Sequence, residues 1–514
     1  MSVMRILARN IFSNYVGMIG TIVIAFLISP YLVHTLGDTK YGIWSILAAL
    51  TGYMALMDLG VSSAIAKYVS EYQATRDYQA LNRVIASGFA LLLSVVTVLI
   101  VLSPWLASTF VRVYNFDDSI REIVRQVIII ATLDISIFTL TGIFVGTVSG
   151  LQRYDILNVV NLVSALLKAL LFWYFLSHGY GLIAMAAISL AINSIIGLTL
   201  YFTITRYYSH IRLRLSEARK STTIDIFHYS KFTFLSMLAL LLVYYSDAFV
   251  IGYFLSAAAI TYYTIAWSLG EYTNKMIMAI SATFVPMFSE QDVTQGRDEL
   301  YATYLSGTRF VLLISNLLCI GLLTLGKDFV SLWMGPEYAI KCAPILVIIF
   351  ITQLIKGPQH ISYAILLGTA KHREYSLYNM VFAVANLSLS IYLVQDYGIV
   401  GVATATALTQ GLFFGVITPI LTNHRLSGNL WHYVKETYLR ALIPGVVLYL
   451  GLIVVAQKIP PQSYLELISI ALVAATLYLV LCWFMLLKQS ERNYLHTLFS
   501  GQWQSLNTRL RGAG

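Results

Sequence analysis

From Ile11 onward the chain is a series of apolar runs of around 20 residues, parted by short polar stretches. No soluble core needs so many, and in a bilayer every backbone N–H and C=O must find its partner within the protein. Strict two-residue alternation is absent, so the runs predict helices rather than a barrel and the fold class is all-α. Composition agrees, with 58% hydrophobic and 11% charged residues, against roughly one quarter charged in soluble domains. The first run follows Arg5 and Arg9 but is too long for a signal-peptide core and has no evident small-residue cleavage site. It is expected to remain as the first helix of a polytopic membrane protein.

Helices are predicted at about 11–35, 41–66, 81–105, 123–149, 156–177 and 180–205, and again at about 231–253, 259–284, 302–326, 343–369, 375–395 and 398–421. Two more near 438–456 and 464–487 bring the total to about 14. The expected organisation is an N-terminal six-helix bundle (1–205), a cytoplasmic linker (206–228), a C-terminal six-helix bundle (229–422), two additional transmembrane helices (423–487) and an amphipathic cytoplasmic tail (488–514). Lys and Arg crowd alternate loops, most densely at Arg206, Arg212, Arg214, Arg219 and Lys220. This places both termini and the linker in the cytoplasm, so the net charge of +9 reports topology and calls for no nucleic acid.

The two bundles read as copies. Ile43-Trp44-Ser45-Ile46 is answered by Ala266-Trp267-Ser268-Leu269, and Val69-Ser70-Glu71-Tyr72 by Phe288-Ser289-Glu290-Gln291. Gly150, Tyr154, Asn158 and Tyr180-Gly181 return as Gly368, Tyr375, Asn379 and Tyr397-Gly398. An even number of helices per half predicts a parallel repeat around a central cleft. Gly142, Gly146 and Gly150 share one face of the fourth predicted helix, as Ala364 and Gly368 do in the tenth, a spacing that lets another helix approach closely.

Several chemistries are set aside. Gly321 to Lys327 matches the start of a phosphate-binding loop, but Asp328 stands where a hydroxyl should follow and no strand precedes it. Cys319, Cys342 and Cys482 lack metal or redox spacing. No cofactor or metal is called for, and with no nucleophile–base arrangement an enzyme has little support.

Ionisable residues do fall inside the predicted spans: Asp58, Asp134, Lys168, Asp247, Glu271, Lys275 and Lys356. Each would cost roughly 3 kcal/mol facing lipid, so they must face protein or water. Lys356 precedes Gly357-Pro358, where a missing backbone donor should break the helix at mid-bilayer depth, and Lys168 lies near the centre of the fifth helix. Both read as substrate-binding cations, with no acidic partner fixed by the sequence. Lys275 and Glu271 are one turn apart and fit either an intrahelical ion pair or a cleft role. Asp247, with Glu271, is a candidate for proton or cation coupling, although it fits an ion pair equally. Asp58 and Asp134 read as acceptors between helices. Tyr244, Tyr245 and Tyr272 offer ring faces and hydroxyls suited to sugars.

Leu36-Gly37-x-x-x-Tyr41-Gly42-x-Trp44, Asp58-Leu59-Gly60, Ala64-x-x-Lys67-Tyr68 and Gly150-Leu151-Gln152-Arg153-Tyr154 together resemble the polysaccharide-transporter branch of the multidrug/oligosaccharidyl-lipid/polysaccharide exporter superfamily. The resemblance spans essentially the whole chain. It implies a Wzx-type flippase that moves undecaprenyl-pyrophosphate-linked oligosaccharide across the bacterial inner membrane by alternating access, coupled to H+ or Na+ and working beside a polysaccharide polymerase complex. The residues fit that expectation independently, with lysines for pyrophosphate or acidic sugars, tyrosines for the glycan and the last two helices as a groove for the lipid tail. A cation-coupled drug antiporter of the same superfamily is the alternative. A lipid II flippase is disfavoured because no arginine falls mid-span, and a non-transporting assembly partner because it gains nothing from buried charges.

Overall fold

The computed structural model describes residues 3–114, 118–294, 296–369, 373–489 and 491–493. Helices follow one another from end to end. The first, α1 (Val3–Met54), runs through the Leu36–Trp44 turn and departs from helical geometry only at Gly37, where φ is 73° and ψ 165°. That region is open almost solely to glycine, so a single residue does the work of the predicted polar turn. The predicted helix 41–66 is interrupted. Ala55–Asp58 forms a 3-10 turn, Leu59 and Gly60 take positive φ, and α2 (Val61–Thr75) starts afresh. Asp58 therefore sits in a helix break, where it accepts hydrogen bonds from the N–H (3.2 Å) and hydroxyl (2.7 Å) of Ser62 in the first turn of α2.

Next come α3 (Tyr78–Val113), α4 (Asp118–Gly150), α5 (Tyr154–Ser177), α6 (Leu182–Tyr207) and α7 (Lys220–Phe254). α8 (Ala257–Ala282) is followed by the short α9 (Val285–Thr294), and α10 (Arg297–Trp333) by α11 (Pro336–Lys356) and α12 (Gln359–Gly368). α13 (Arg373–Leu412) joins two predicted helices across Gly398, the second residue at which one glycine replaces a loop. A π-turn at Phe413–Ile417 leads into α14 (Thr418–Arg425), then α15 (Leu430–Glu436), α16 (Tyr438–Lys458) and α17 (Tyr464–Met485). Among the described residues 10 segments are long and apolar enough to cross a membrane, and two of them, Asn14–Leu50 and Tyr378–Arg425, contain the Gly37 and Gly398 bends. Of the predicted amphipathic tail at 488–514, residues 490 and 494–514 lie outside the described residues.

By packing, the chain divides into two compact units, one of residues 1–264 and 379–402 and the other of 265–378 and 403–514. In the first, Val61, Ile65 and Val69 of α2 pack with Leu81, Ile85 and Leu92 of α3 and with Ile143 of α4. The predicted glycine face is what admits α2. A Cβ on Gly146 would lie 2.5 Å from the Ser62 carbonyl oxygen, and one on Gly150 would lie 2.6 Å from that of Ala66 and 2.8 Å from the Val69 Cβ. In the second unit a Cβ on Gly368 of α12 would lie 2.8 Å from the Val285 carbonyl oxygen and 3.1 Å from the Phe288 Cβ of α9. Val69 and Phe288 are partners in the sequence repeat, so repeated residues make the same contact in both units.

Candidate functional site

In the first unit a pocket of about 380 Å³ opens among α1, α4, α5, α6 and α7. Lys168, well inside α5, lines it together with Asp134, Asn193, Trp44 and Tyr245. The lysine Nζ lies 5.5 Å from the centre of the Phe172 ring one turn along α5, where the ring face attracts a cation. Phe172 is held in turn by an edge contact to Trp44, at 5.7 Å between centroids and 86° between planes. Asp134 accepts a 2.6 Å hydrogen bond from Asn193 Nδ2 of α6, as expected of an interhelical acceptor, and lies close enough to Lys168 for the two charges to interact. Tyr245 reaches the pocket because α1 presents Gly52, where a Cβ would stand 2.6 Å from the tyrosine ring.

The pocket therefore brings together one predicted cation and one predicted aromatic, and adds Trp44, Asp134 and Asn193, which no sequence argument placed with them. The helical positions of Trp44 and Asn193 gave no sign of convergence. Tyr244 lies on α7, but its side chain falls outside the described ones.

In the second unit Lys356 ends α11, only 4% exposed. Gly357 and Pro358 keep helical dihedrals, so the axis bends between α11 and α12 and does not unwind. Lys356 Nζ lies 5.5 Å from the centre of the Phe414 ring, at the π-turn. Glu271 of α8 is within electrostatic reach of Lys356 and forms the intrahelical pair with Lys275 at 3.8 Å. Asn274, Gln353 and His360, absent from the sequence-derived site, complete the surroundings: His360 Nε2 is 2.9 Å from Asn274 Oδ1, and Gln353 donates to the Gly270 carbonyl at 3.3 Å. Tyr272 is half-buried on α8. Lys168 and Lys356 thus each have an acid within electrostatic reach, a pairing that the sequence left open. Burial explains it, since a desolvated ammonium needs a countercharge or a ring face.

Asp247 is 2% exposed in the first unit and accepts hydrogen bonds from the Tyr263 hydroxyl and, at 3.5 Å, from Ser390 Oγ.

The model of the family described as "Polysaccharide biosynthesis protein" matches residues 7–292. The chain is 23% identical over 427 residues to the "Probable low-salt glycan biosynthesis flippase Agl15" of Haloferax volcanii, covering 82% of this chain and 84% of that one. It is 18% identical over 387 residues to the "Putative O-antigen transporter" of Shigella flexneri, covering 74% and 88%. Among solved structures, the lipid II flippase MurJ in an inward closed conformation aligns with a TM-score of 0.71 at 14% identity, over 91% of this chain and 97% of that one. An inward-facing multidrug resistance MATE transporter of the MOP superfamily also gives 0.71, at 13% identity, over 79% and 94%. The fold is therefore that of MOP-superfamily transporters, and the chain, matched over more than half its length, belongs to the polysaccharide biosynthesis protein family.

Proposed function

We propose that this protein is a flippase that turns an undecaprenyl-pyrophosphate-linked oligosaccharide, an O-antigen, capsule or exopolysaccharide repeat unit, from the inner to the outer leaflet of a bacterial inner membrane by alternating access. The observation that carries the reading is the Lys168 pocket. A cation, two aromatic faces, a carboxylate and an amide gathered between membrane helices suit an anionic, hydroxyl-rich headgroup, and packing alone does not call for them. Relatives named for glycan flipping and O-antigen transport support it. Lys356, buried at a helix bend in the second unit, is the second cation of this reading.

In this reading residues 1–205 and 229–422 are the two repeats about the substrate path, and 206–228 and both termini are cytoplasmic. Asp247 carries the coupled H+ or Na+, and Glu271 assists it. The apolar groove between α16 and α17, about 390 Å³ and lined by Leu448, Leu452, Val473 and Leu477, takes part of the lipid tail.

Accumulation of lipid-linked glycan on the cytoplasmic leaflet of a deletion strain complemented with variants tests the proposal. Lys168→Ala and Lys356→Ala should each impair transport, with Lys356→Arg partly restoring it and Lys356→Gln not. Because Asp134 neighbours Lys168, Lys168→Ala/Asp134→Asn removes both charges and separates stability from transport. Normal transport by this well-folded double variant would sink the reading.

A further inference from the structure

Away from this pocket, the first unit carries a second, strongly basic one of about 430 Å³ where α3 begins and the segment after α6 crosses it. Arg83, Arg212 and Arg219 line it with His210, Tyr78 and a single acid, Glu217. Its frame is built without the guanidinium groups. Asn82 donates to the His210 carbonyl at 3.0 Å and accepts from the Arg212 backbone N–H at 2.9 Å, while the Arg219 backbone N–H donates to Ser87 Oγ at 3.0 Å. His210 is fixed against the Tyr78 ring at 4.2 Å between centroids and beside Gln73 at 3.3 Å. The main chain of the crossing segment is thus pinned to α3, and these bonds leave the three guanidinium groups of the pocket lining unused.

The level of this pocket follows from the sequence of α3. Arg83 is the last charged residue before an apolar stretch that runs from Val84 to Val111, and charge returns at Arg112. α3 has 36 residues, about 54 Å of helix against a hydrocarbon core of about 30 Å. Arg83, five residues from its start, therefore stands at the headgroup layer. Arginine's planar fork suits phosphate, and three guanidinium groups against the single carboxylate of this pocket leave a net positive charge at the depth of the lipid phosphates.

We infer that this pocket binds the phosphodiester headgroup of an anionic phospholipid, such as phosphatidylglycerol, through Arg83, Arg212 and Arg219. The inference needs only the membrane location of the chain and stands apart from what the transporter carries.

The full-length protein in detergent, titrated with phosphatidylglycerol and with phosphatidylcholine and read by native mass spectrometry, provides the test. Wild type should bind phosphatidylglycerol preferentially, and Arg212→Gln/Arg219→Gln should lose about fivefold in affinity per charge removed, the equivalent of about 1 kcal/mol each. Those two side chains are exposed and their backbone bonds survive the change, so the variant should fold. Arg83→Gln should lower phosphatidylglycerol affinity likewise and leave phosphatidylcholine binding unchanged. Unaltered phosphatidylglycerol binding in the double variant would overturn the proposal. So would inorganic phosphate at millimolar concentration displacing the lipid in full, which would mark a site for soluble phosphate.

Discussion

Arg309, in the first half of α10, is 2% exposed, and Glu491, just beyond α17, is 7% exposed. The guanidinium donates from Nε to both carboxylate oxygens, at 3.0 and 3.2 Å, and from a terminal nitrogen to the first of them. Its remaining donors reach the Glu436 carbonyl at 3.2 Å and Ser306 Oγ at 3.1 Å. Glu491→Ala removes the countercharge from a buried cation, so the loss should be about 3–5 kcal/mol. The neighbouring Lys488–Glu436 pair at 2.6 Å has the lysine 39% exposed, and Lys488→Ala should cost only about 0.5 kcal/mol. Replacing both partners, Arg309→Met/Glu491→Met, leaves no stranded charge and should recover most of the loss. Burial alone pushes the Glu491 carboxyl up, but hydrogen bonds from Arg309, Ser306 and the Lys488 N–H outweigh it and hold the group below the usual range. Its contribution is then fully present above the unfolded carboxylate pKa and fades as pH falls through the depressed folded value. Denaturant unfolding in detergent, followed by tryptophan fluorescence at neutral and acidic pH, gives each term. A Glu491→Ala loss below about 1 kcal/mol, or no recovery in the double variant, would refute the argument.

Two further outcomes follow from the backbone. Gly37→Ala should destabilise by about 1–3 kcal/mol through strain alone, since nothing lies within 4 Å of the added Cβ. Gly181→Ala, equally open but at an ordinary φ of −116°, is the control and should be near neutral in the same unfolding assay. Gly146→Val must push α2 away from α4, because its Cβ would meet the Ser62 carbonyl oxygen at 2.5 Å. It should cost at least about 1–3 kcal/mol and lower the yield of monodisperse protein, whereas Gly451→Ala on the open face of α16 should not.

Much of this molecule was legible along one dimension. Hydrophobicity, run length and glycine spacing are local properties, and the bilayer turns them directly into helices, because it leaves the backbone no other way to satisfy its hydrogen bonds. The contact of Gly150 with Val69, and of Gly368 with Phe288, was latent in the repeat for the same reason. Irregular backbone was harder to read. At Gly37 the helix needed less of an interruption than the polar turn suggested, and at Leu59-Gly60 it needed more, since the choice between bending and breaking depends on what packs around the turn. The pockets depended on distance across the fold. Asp134 and Asn193 are 59 residues apart in sequence, and Arg309 and Glu491 are 182 apart. Hydropathy required each buried charge to find a partner, but which acid neighbours Lys168, and that Trp44 and Tyr245 share its pocket, depends on helix rotation and packing, so only the tertiary structure could decide it.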